Sequence, residues 1–226
     1  MRPLSFIIIV LFLFTSCKSE PKEADTNVEK AELTIAEKIA NAHGFENWNN
    51  VSKIQFTFQV DRDTIKGNGR AWTWEPKEDR VQMAMGDRNF DYVRSQMDST
   101  NIPADRAFIN DKYWLLVPFQ LVWDSSAELS EPKKQNAPIS NTEMNMITIT
   151  YASEGGYTPG DAYDIFYDDD YMIREWVFRQ GNSEEPSLTT TFENYKDFSG
   201  IKIAIDHKKA EGNWNLNFTN VEVTMD

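Results

Sequence analysis

The 226-residue chain has one cysteine, Cys17, and two histidines, His43 and His207. A single cysteine cannot form an internal disulfide bond, so disulfides play no part in the fold. The sequence also has no GxSxG element and no glycine-rich phosphate loop. With so few nucleophiles and bases, we expect a protein that is not an enzyme and that needs no cofactor.

Positive charge is scarce. The sequence has 23 Lys and Arg against 36 Asp and Glu, which gives a formal net charge of -13. Such a chain repels phosphate backbones, and this excludes nucleic-acid binding. We interpret the acidity as that of a well-solvated surface. Because 40% of the residues are hydrophobic and 13% aromatic, the chain can bury a core and is not disordered as a whole.

The apolar run at the N-terminus, Leu4–Phe14, is too short to span a membrane, which takes roughly 20 apolar residues. It follows Arg2 and ends at Thr15 and Ser16, directly before Cys17, as the core of a signal peptide does. This arrangement resembles a lipobox, with Phe14 where leucine is usual. The resemblance implies cleavage before Cys17 and acylation of that cysteine, for example with palmitate. The alternative is an ordinary signal peptide followed by an incidental cysteine.

We therefore predict three segments: a signal peptide over residues 1–16, a lipidated cysteine and flexible tether over residues 17–33, and a folded domain over residues 34–226. The tether contains Pro21 and many charges but little apolar periodicity. Lys18-Ser19-Glu20 resembles the export signal of Bacteroidetes-type lipoproteins. That resemblance implies a cell-envelope protein anchored through Cys17 to the outer membrane, on its periplasmic face or at the cell surface.

The folded domain opens with a short helix. Thr34 and Glu37 have capping-box spacing, and Gly44 is placed to end the helix, with His43 capping its last carbonyls. The rest of the chain alternates between apolar and polar residues and predicts antiparallel strands. In the last of these the apolar set slips by one residue before Val221, which indicates a β-bulge. The predicted strands are Lys53–Asp61, Arg70–Glu75, Arg80–Met85, Glu143–Tyr151, Tyr163–Asp168, Ile173–Gln180, Ser187–Tyr195, Gly200–Lys208 and Asn213–Thr224.

These strands and the scarcity of helices predict a mainly β (α+β) fold built on one curved antiparallel sheet. One segment differs from the rest. Ala104–Asn110 is compatible with a short helix, and Tyr113–Phe119 is a dense apolar run. Such a run must be buried or must meet something apolar.

Several motifs stand out along residues 34–226: His43-Gly44 before Trp48, Trp72-Thr73-Trp74-Glu75-Pro76, Tyr113–Phe119, Glu193–Asp197 and Gly200-Ile201-Lys202. Together they resemble a group of exported lipoproteins related to the bacterial lipoprotein carrier and acceptor (Lol) family. The resemblance implies a strongly curved sheet that forms an incomplete barrel, short helices that plug its open face, and an apolar cavity for an acyl chain, a lipoprotein or another hydrophobic ligand. The Lol carriers are soluble, whereas this chain has a lipobox, which favours a tethered acceptor or sensor.

A cavity of that kind would be lined by large apolar side chains from the sheet and the apolar run. The same residues could instead fill the core and leave no space, because alternation predicts an apolar face in either case. The candidate lining residues are Phe56, Phe58, Trp72, Trp74, Met83, Trp114, Leu116, Phe119, Trp176, Phe178, Trp214 and Phe218.

Three functional hypotheses follow: a lipid- or lipoprotein-binding module, a structural or protein-interaction lipoprotein of the envelope without a ligand cavity, and a hydrolase of unrecognised chemistry. Asp168-Asp169-Asp170 could hold calcium, but its position between two strands favours a hairpin connection, and we predict no metal site. We expect His207, beside Asp206 near a strand end, to lie at the surface.

Overall fold

Two antiparallel β-sheets make up most of the protein in a computed structural model that describes residues 32–154 and 158–226. The strands are β1 (Val51–Asp61), β2 (Arg70–Glu75), β3 (Arg80–Met85), β4 (Arg88–Val93), β5 (Ala127–Leu129), β6 (Lys133–Asn136), β7 (Glu143–Tyr151), β8 (Ala162–Tyr167), β9 (Ile173–Arg179), β10 (Leu188–Thr191), β11 (Glu193–Phe198), β12 (Ile201–Lys208) and β13 (Asn215–Met225). The first sheet has the order β11-β12-β13-β1-β2-β3-β4. The second has the order β10-β9-β8-β7-β5, with β6 also paired to β7. The predicted mainly β, antiparallel class is confirmed.

The prediction of a single sheet is wrong, because the strands form two sheets. The expected strand Ser187–Tyr195 is two strands, β10 and β11, which belong to different sheets. The chain passes from the second sheet to the first at Phe192, which is 3% exposed. Apolar alternation gives the face of each strand but not its neighbours, so the sequence pattern did not show this division. In the described residues the two sheets share one hydrophobic core and do not close into a barrel.

The first helix, α1 (Ile35–Ala42), has the predicted capping box, in which Thr34 and Glu37 satisfy each other's backbone N–H groups. His43 caps the other end as predicted, since its Nδ1 lies 2.8 Å from the Ile39 carbonyl oxygen. Gly44 follows with φ 91°, and a Cβ there would stand 1.8 Å from the Gly200 carbonyl oxygen. The His43-Gly44 motif therefore packs against the turn between β11 and β12.

The second helix, α2 (Ile102–Trp123), is much longer than the predicted Ala104–Asn110 and includes the apolar run. Residues 111–121 are all buried, so this part of the helix lacks the polar face that would reveal its period. Pro118 cannot donate a backbone hydrogen bond, and the helix is kinked nearby, where Leu116 has φ -129° and ψ 32°. No helix in the described ranges combines the length and apolarity needed to cross a membrane.

Two buried carboxylates attach α2 to the first sheet. Asp111 is fully buried, and its carboxylate accepts two hydrogen bonds from the Arg70 guanidinium, at 2.6 and 2.7 Å. It also accepts a hydrogen bond of 2.8 Å from the Trp72 indole N–H. Asp105 is 5% exposed and accepts two hydrogen bonds from Arg94, at 2.6 and 3.1 Å. These charge-assisted bonds fix the rotation of α2 about its axis and so determine which side chains face the second sheet.

Two local predictions about turns and bulges are confirmed. The pairing of β1 with β13 shifts register between Gln55 opposite Glu222 and Thr57 opposite Thr219, so β13 carries one extra residue, the predicted bulge. Asp168 lies in the hairpin between β8 and β9, where its Oδ1 accepts hydrogen bonds from backbone N–H groups two and four residues ahead, both at 3.0 Å.

Candidate ligand pocket

A half-open pocket of about 490 Å³ lies between the first half of α2 and the second sheet. Small-molecule sites typically measure about 300–1,000 Å³, so this volume suits a small apolar ligand. Helix α2 contributes Arg106, Ile109, Asn110, Tyr113 and Trp114; the second sheet and the loop before β8 contribute Thr158, Asp161, Tyr163, Trp176, Phe178 and Leu188.

Five aromatic rings form a continuous wall of this pocket. The ring of Tyr163 lies 5.1 Å from that of Tyr113, 5.0 Å from that of Trp176 and 5.0 Å from that of Phe178. Trp114 meets Trp176 edge-on at 4.3 Å. Burial raises the pKa of the Tyr163 hydroxyl to about 12, so the hydroxyl is neutral at physiological pH. The wall is therefore aromatic and uncharged.

The charged groups of the pocket lie toward its mouth. Arg106 and Asn110 are exposed on α2, and Asp161 is half-buried on the opposite side. The Asp161 Oδ1 accepts a hydrogen bond of 2.8 Å from the Gly181 N–H, which fixes that carboxylate. A mostly apolar and aromatic lining with a few polar groups is the usual arrangement of a small-molecule site.

Three of the twelve candidate lining residues border this pocket: Trp114, Trp176 and Phe178. Trp214 is half-buried elsewhere, with the Lys209 ammonium 5.2 Å from its ring centroid. The other eight are buried in the hydrophobic core: Phe56, Phe58, Trp72, Trp74, Met83, Leu116, Phe119 and Phe218. Contact between a ligand and any of these residues stays a prediction.

A second hollow, of about 470 Å³, lies on the outer face of the first sheet over β1 to β4. Seven of its thirteen lining residues have polar side chains, among them Gln55, Thr57, Gln82 and Asp91. Phe56, Trp72 and Met83 also border it, but they are only 1, 2 and 7% exposed because their side chains belong to the core. This groove is more open than the pocket beside α2, and most of the side chains that face outward into it are polar, so it offers an apolar ligand less enclosure.

The expectation that His207 lies at the surface is wrong, because the residue is fully buried. Its ring packs against Phe192 at 4.4 Å and Trp114 at 5.4 Å, and its Nδ1 lies 3.2 Å from the Thr191 carbonyl oxygen. Burial lowers the pKa of His207 to about 4, so the imidazole is neutral at pH 7. Alternate residues of a strand face the same side, so His207 shares the face of the buried Ile201 and Ile203 on β12. This alternation predicts a buried His207, whereas the polar residues beside it suggested the surface.

Sequence reasoning missed several lining residues, among them Tyr113 and Tyr163. Tyr163 lies directly opposite Phe178, which in turn lies opposite Leu188, so strand pairing places all three on one face. On α2, Arg106, Ile109, Asn110 and Tyr113 have the i, i+3, i+4, i+7 spacing of one helix face. The strand pairing and the helix face identify pocket residues only once it is known which strands are neighbours and that α2 packs against them.

The pocket offers contact surface more than reactive chemistry. Its lining contains tyrosine and threonine hydroxyls, one exposed arginine and one carboxylate, and neither histidine of the chain borders it. Within residues 32–154 and 158–226, no group of three or more histidine, cysteine, aspartate or glutamate side chains is placed to hold a metal ion. The mainly aromatic and apolar lining suits the binding of an apolar molecule.

No protein-family model matches the chain, and no curated protein does. Among solved structures, the chain is similar to a LolA superfamily protein from Nitrosomonas europaea, with 9% sequence identity, a TM-score of 0.44, and coverage of 85% of this chain and 94% of that one. At that identity and TM-score the likeness carries no functional argument, and the relation to the Lol family stays a prediction.

Proposed function

We propose that the β domain binds a hydrophobic ligand, such as an acyl chain, in the pocket between α2 and the second sheet. The observation that carries this proposal is the aromatic, uncharged wall of a half-open pocket of about 490 Å³. Moving one methylene from water to such a surface gains about 0.8 kcal/mol, so a twelve-carbon chain gains about 10 kcal/mol before ordering costs.

We further propose that the protein is a lipoprotein of the cell envelope, anchored in the outer membrane through Cys17. The support is the short apolar run that ends at Cys17 and the charged, Pro-containing segment that follows it. Cys17 and the predicted signal peptide lie outside the described residues, as does most of the tether. The compact unit with its own core spans Leu33–Asp226.

The anchor is tested by replacing the cysteine. We expect full-length protein made in a Bacteroidetes host with labelled palmitate to incorporate the label, and Cys17→Ser to lose it completely, because the thiol and the new N-terminus are the acylated groups. Ser16→Ala is the matched control and should keep the label, since a small residue is retained before the cysteine. Equal labelling of Cys17→Ser and the parent protein would contradict the anchor.

Ligand binding is tested by filling the pocket. The protein from residue 18 onward retains the whole compact unit, and we expect it to bind the neutral fluorescent probe phenylnaphthylamine. Ile109 borders the pocket and is half-buried, so Ile109→Trp should place an indole in the mouth and weaken binding by about tenfold or more, a loss of about 1.4 kcal/mol. Mass spectrometry of an organic extract should also find an apolar molecule in protein purified from cells.

A matched control separates this pocket from the rest of the surface. Ala84 is exposed in the polar groove of the first sheet, so Ala84→Trp fills the other hollow and should leave probe binding unchanged. Circular dichroism should show the same fold for both variants. Binding that survives Ile109→Trp but is lost in Ala84→Trp would place the ligand in the groove of the first sheet. Absence of any binding, with a specific protein retained in a pull-down, would favour the interaction lipoprotein instead.

A further inference from the structure

The pocket continues inward along a pair of strands. Phe178 of β9 lies opposite Leu188 of β10, and the next pair on the same face is Trp176 opposite Thr190. Phe178 and Leu188 are half-buried, whereas Trp176 and Thr190 are 1% and 0% exposed. The first pair and Trp176 border the pocket, so this face leads from the mouth to the protein interior.

Two polar atoms at this inner end are buried without a hydrogen-bond partner: the Nε1 of Trp176 and the Oγ1 of Thr190. Side chains directly opposite each other in an antiparallel pair have Cβ atoms about 4.5–5.5 Å apart, so these two side chains are neighbours on the face on which Trp176 borders the pocket. A buried polar group without a partner is unfavourable, and native proteins leave few of them. An indole N–H and a threonine O–H are both donors, and the two together suit an oxygen acceptor.

We propose that this inner end of the pocket receives a neutral oxygen group of the ligand, a hydroxyl or an ester carbonyl, which accepts hydrogen bonds from Trp176 Nε1 and Thr190 Oγ1. The inference rests on the proposed function, since it names the class of apolar ligand that the same pocket takes. A long-chain alcohol or an acylglycerol has this chemistry.

The charge distribution favours a neutral group over a carboxylate at this position. Nearby, His207 is held neutral by burial, and its ring contacts Trp114, which in turn contacts Trp176. The cation among the pocket-lining residues is Arg106, which is exposed at the mouth. A carboxylate carried inward would lose its hydration with no cation beside it, which is costly. A fatty acid would instead keep its carboxylate near Arg106.

The test uses dodecanol, dodecanoate and dodecane as probes, with Thr190→Val as the informative variant. Valine has nearly the shape of threonine and lacks the hydroxyl. We expect the parent protein to bind dodecanol more tightly than dodecanoate or dodecane, and Thr190→Val to weaken dodecanol binding about fivefold to tenfold while leaving dodecane binding unchanged. Thr189→Val, on the opposite face of the same strand, is the matched control and should change neither.

The outcomes are distinguishable. Failure of all three probes to bind would overturn the proposed function and this inference together. Binding in which dodecanoate is preferred, or in which Thr190→Val has no effect on dodecanol, would leave the pocket as a ligand site and overturn only the neutral oxygen group. In the protein without ligand, Thr190→Val should unfold at the same denaturant midpoint as the parent or a higher one. A lower midpoint would show that the hydroxyl already has a partner, such as a resident water, and would also overturn the inference.

Discussion

Replacing Arg70 with alanine is expected to lower the free energy of unfolding by about 3–5 kcal/mol, the usual cost of leaving a buried charge without its partner. Asp111 is fully buried on α2, and Arg70 supplies two of its hydrogen bonds while its own side chain is 28% exposed. The guanidinium also lies 4.6 Å from the Phe58 ring centroid, so the variant loses this contact too. Urea unfolding followed by circular dichroism measures the change.

An exposed ion pair in the same sheet provides the control. Arg80 and Asp91 are also joined by two hydrogen bonds, but their side chains are 45% and 48% exposed. Solvent screens such a pair, so Arg80→Ala should lower the free energy of unfolding far less than Arg70→Ala. Equal losses for Arg70→Ala and Arg80→Ala would contradict the view that the buried carboxylate of Asp111 holds α2 in place.

Lys112 should make the stability of the protein rise with pH between about 7.5 and 9.5, by up to about 1.4 kcal/mol per pH unit. The residue is 4% exposed, with its ammonium 5.3 Å from the Trp74 ring centroid and 5.5 Å from that of Trp123. Burial, and secondarily the charge of Arg94, lowers the pKa of Lys112 to about 7. The unfolded lysine, with its ordinary pKa near 10.4, binds more protons in this range, so raising the pH favours the folded state.

The window stops below pH 10 because buried tyrosines act in the opposite direction there. Burial raises the pKa of Tyr163 and Tyr167 to about 12. Above pH 10 these tyrosines ionise in the unfolded state before they do in the folded state, and the free energy of unfolding therefore falls. Lys112→Met removes the titrating group and keeps an unbranched apolar side chain, and its unfolding free energy should be nearly flat from pH 7.5 to 9.5. Parallel pH profiles for the parent and Lys112→Met would refute the assignment.

Much of the strand structure was predictable because most of the strands bury one face. The predicted Arg70–Glu75, Arg80–Met85 and Glu143–Tyr151 have the bounds found in the structure, and the bulge in β13 followed from a break in alternation. The missed strands, β4, β5 and β6, have a single buried residue among them, Tyr92. For example, all four residues of Lys133–Asn136 are exposed, and nothing in their polarity distinguishes them from a loop.

Helix α2 was not predictable from periodicity for a physical reason. Its second half is buried between α1, the segment after α1 and the sheets, so its apolar residues form a continuous run. Pro118 suggests a break where the structure has a kink. The site depends on this helix, because Tyr113 and Trp114 reach the pocket only when the helix continues past Asn110. The sequence predicted which residues are large and buried. Which of them border free space depends on how α2 sits against β8 to β10.

The central claim is that an apolar molecule occupies the pocket between α2 and the second sheet, and a crystal structure of the protein with terminally brominated dodecanol tests it most directly. The account predicts one strong anomalous bromine peak near the mouth, beside Arg106 and Ile109, with the alkyl chain against Tyr113 and Tyr163 and the hydroxyl toward Trp176. A bromine peak confined to the polar groove over β1 to β4, or no peak at a saturating concentration of the ligand, would contradict the account.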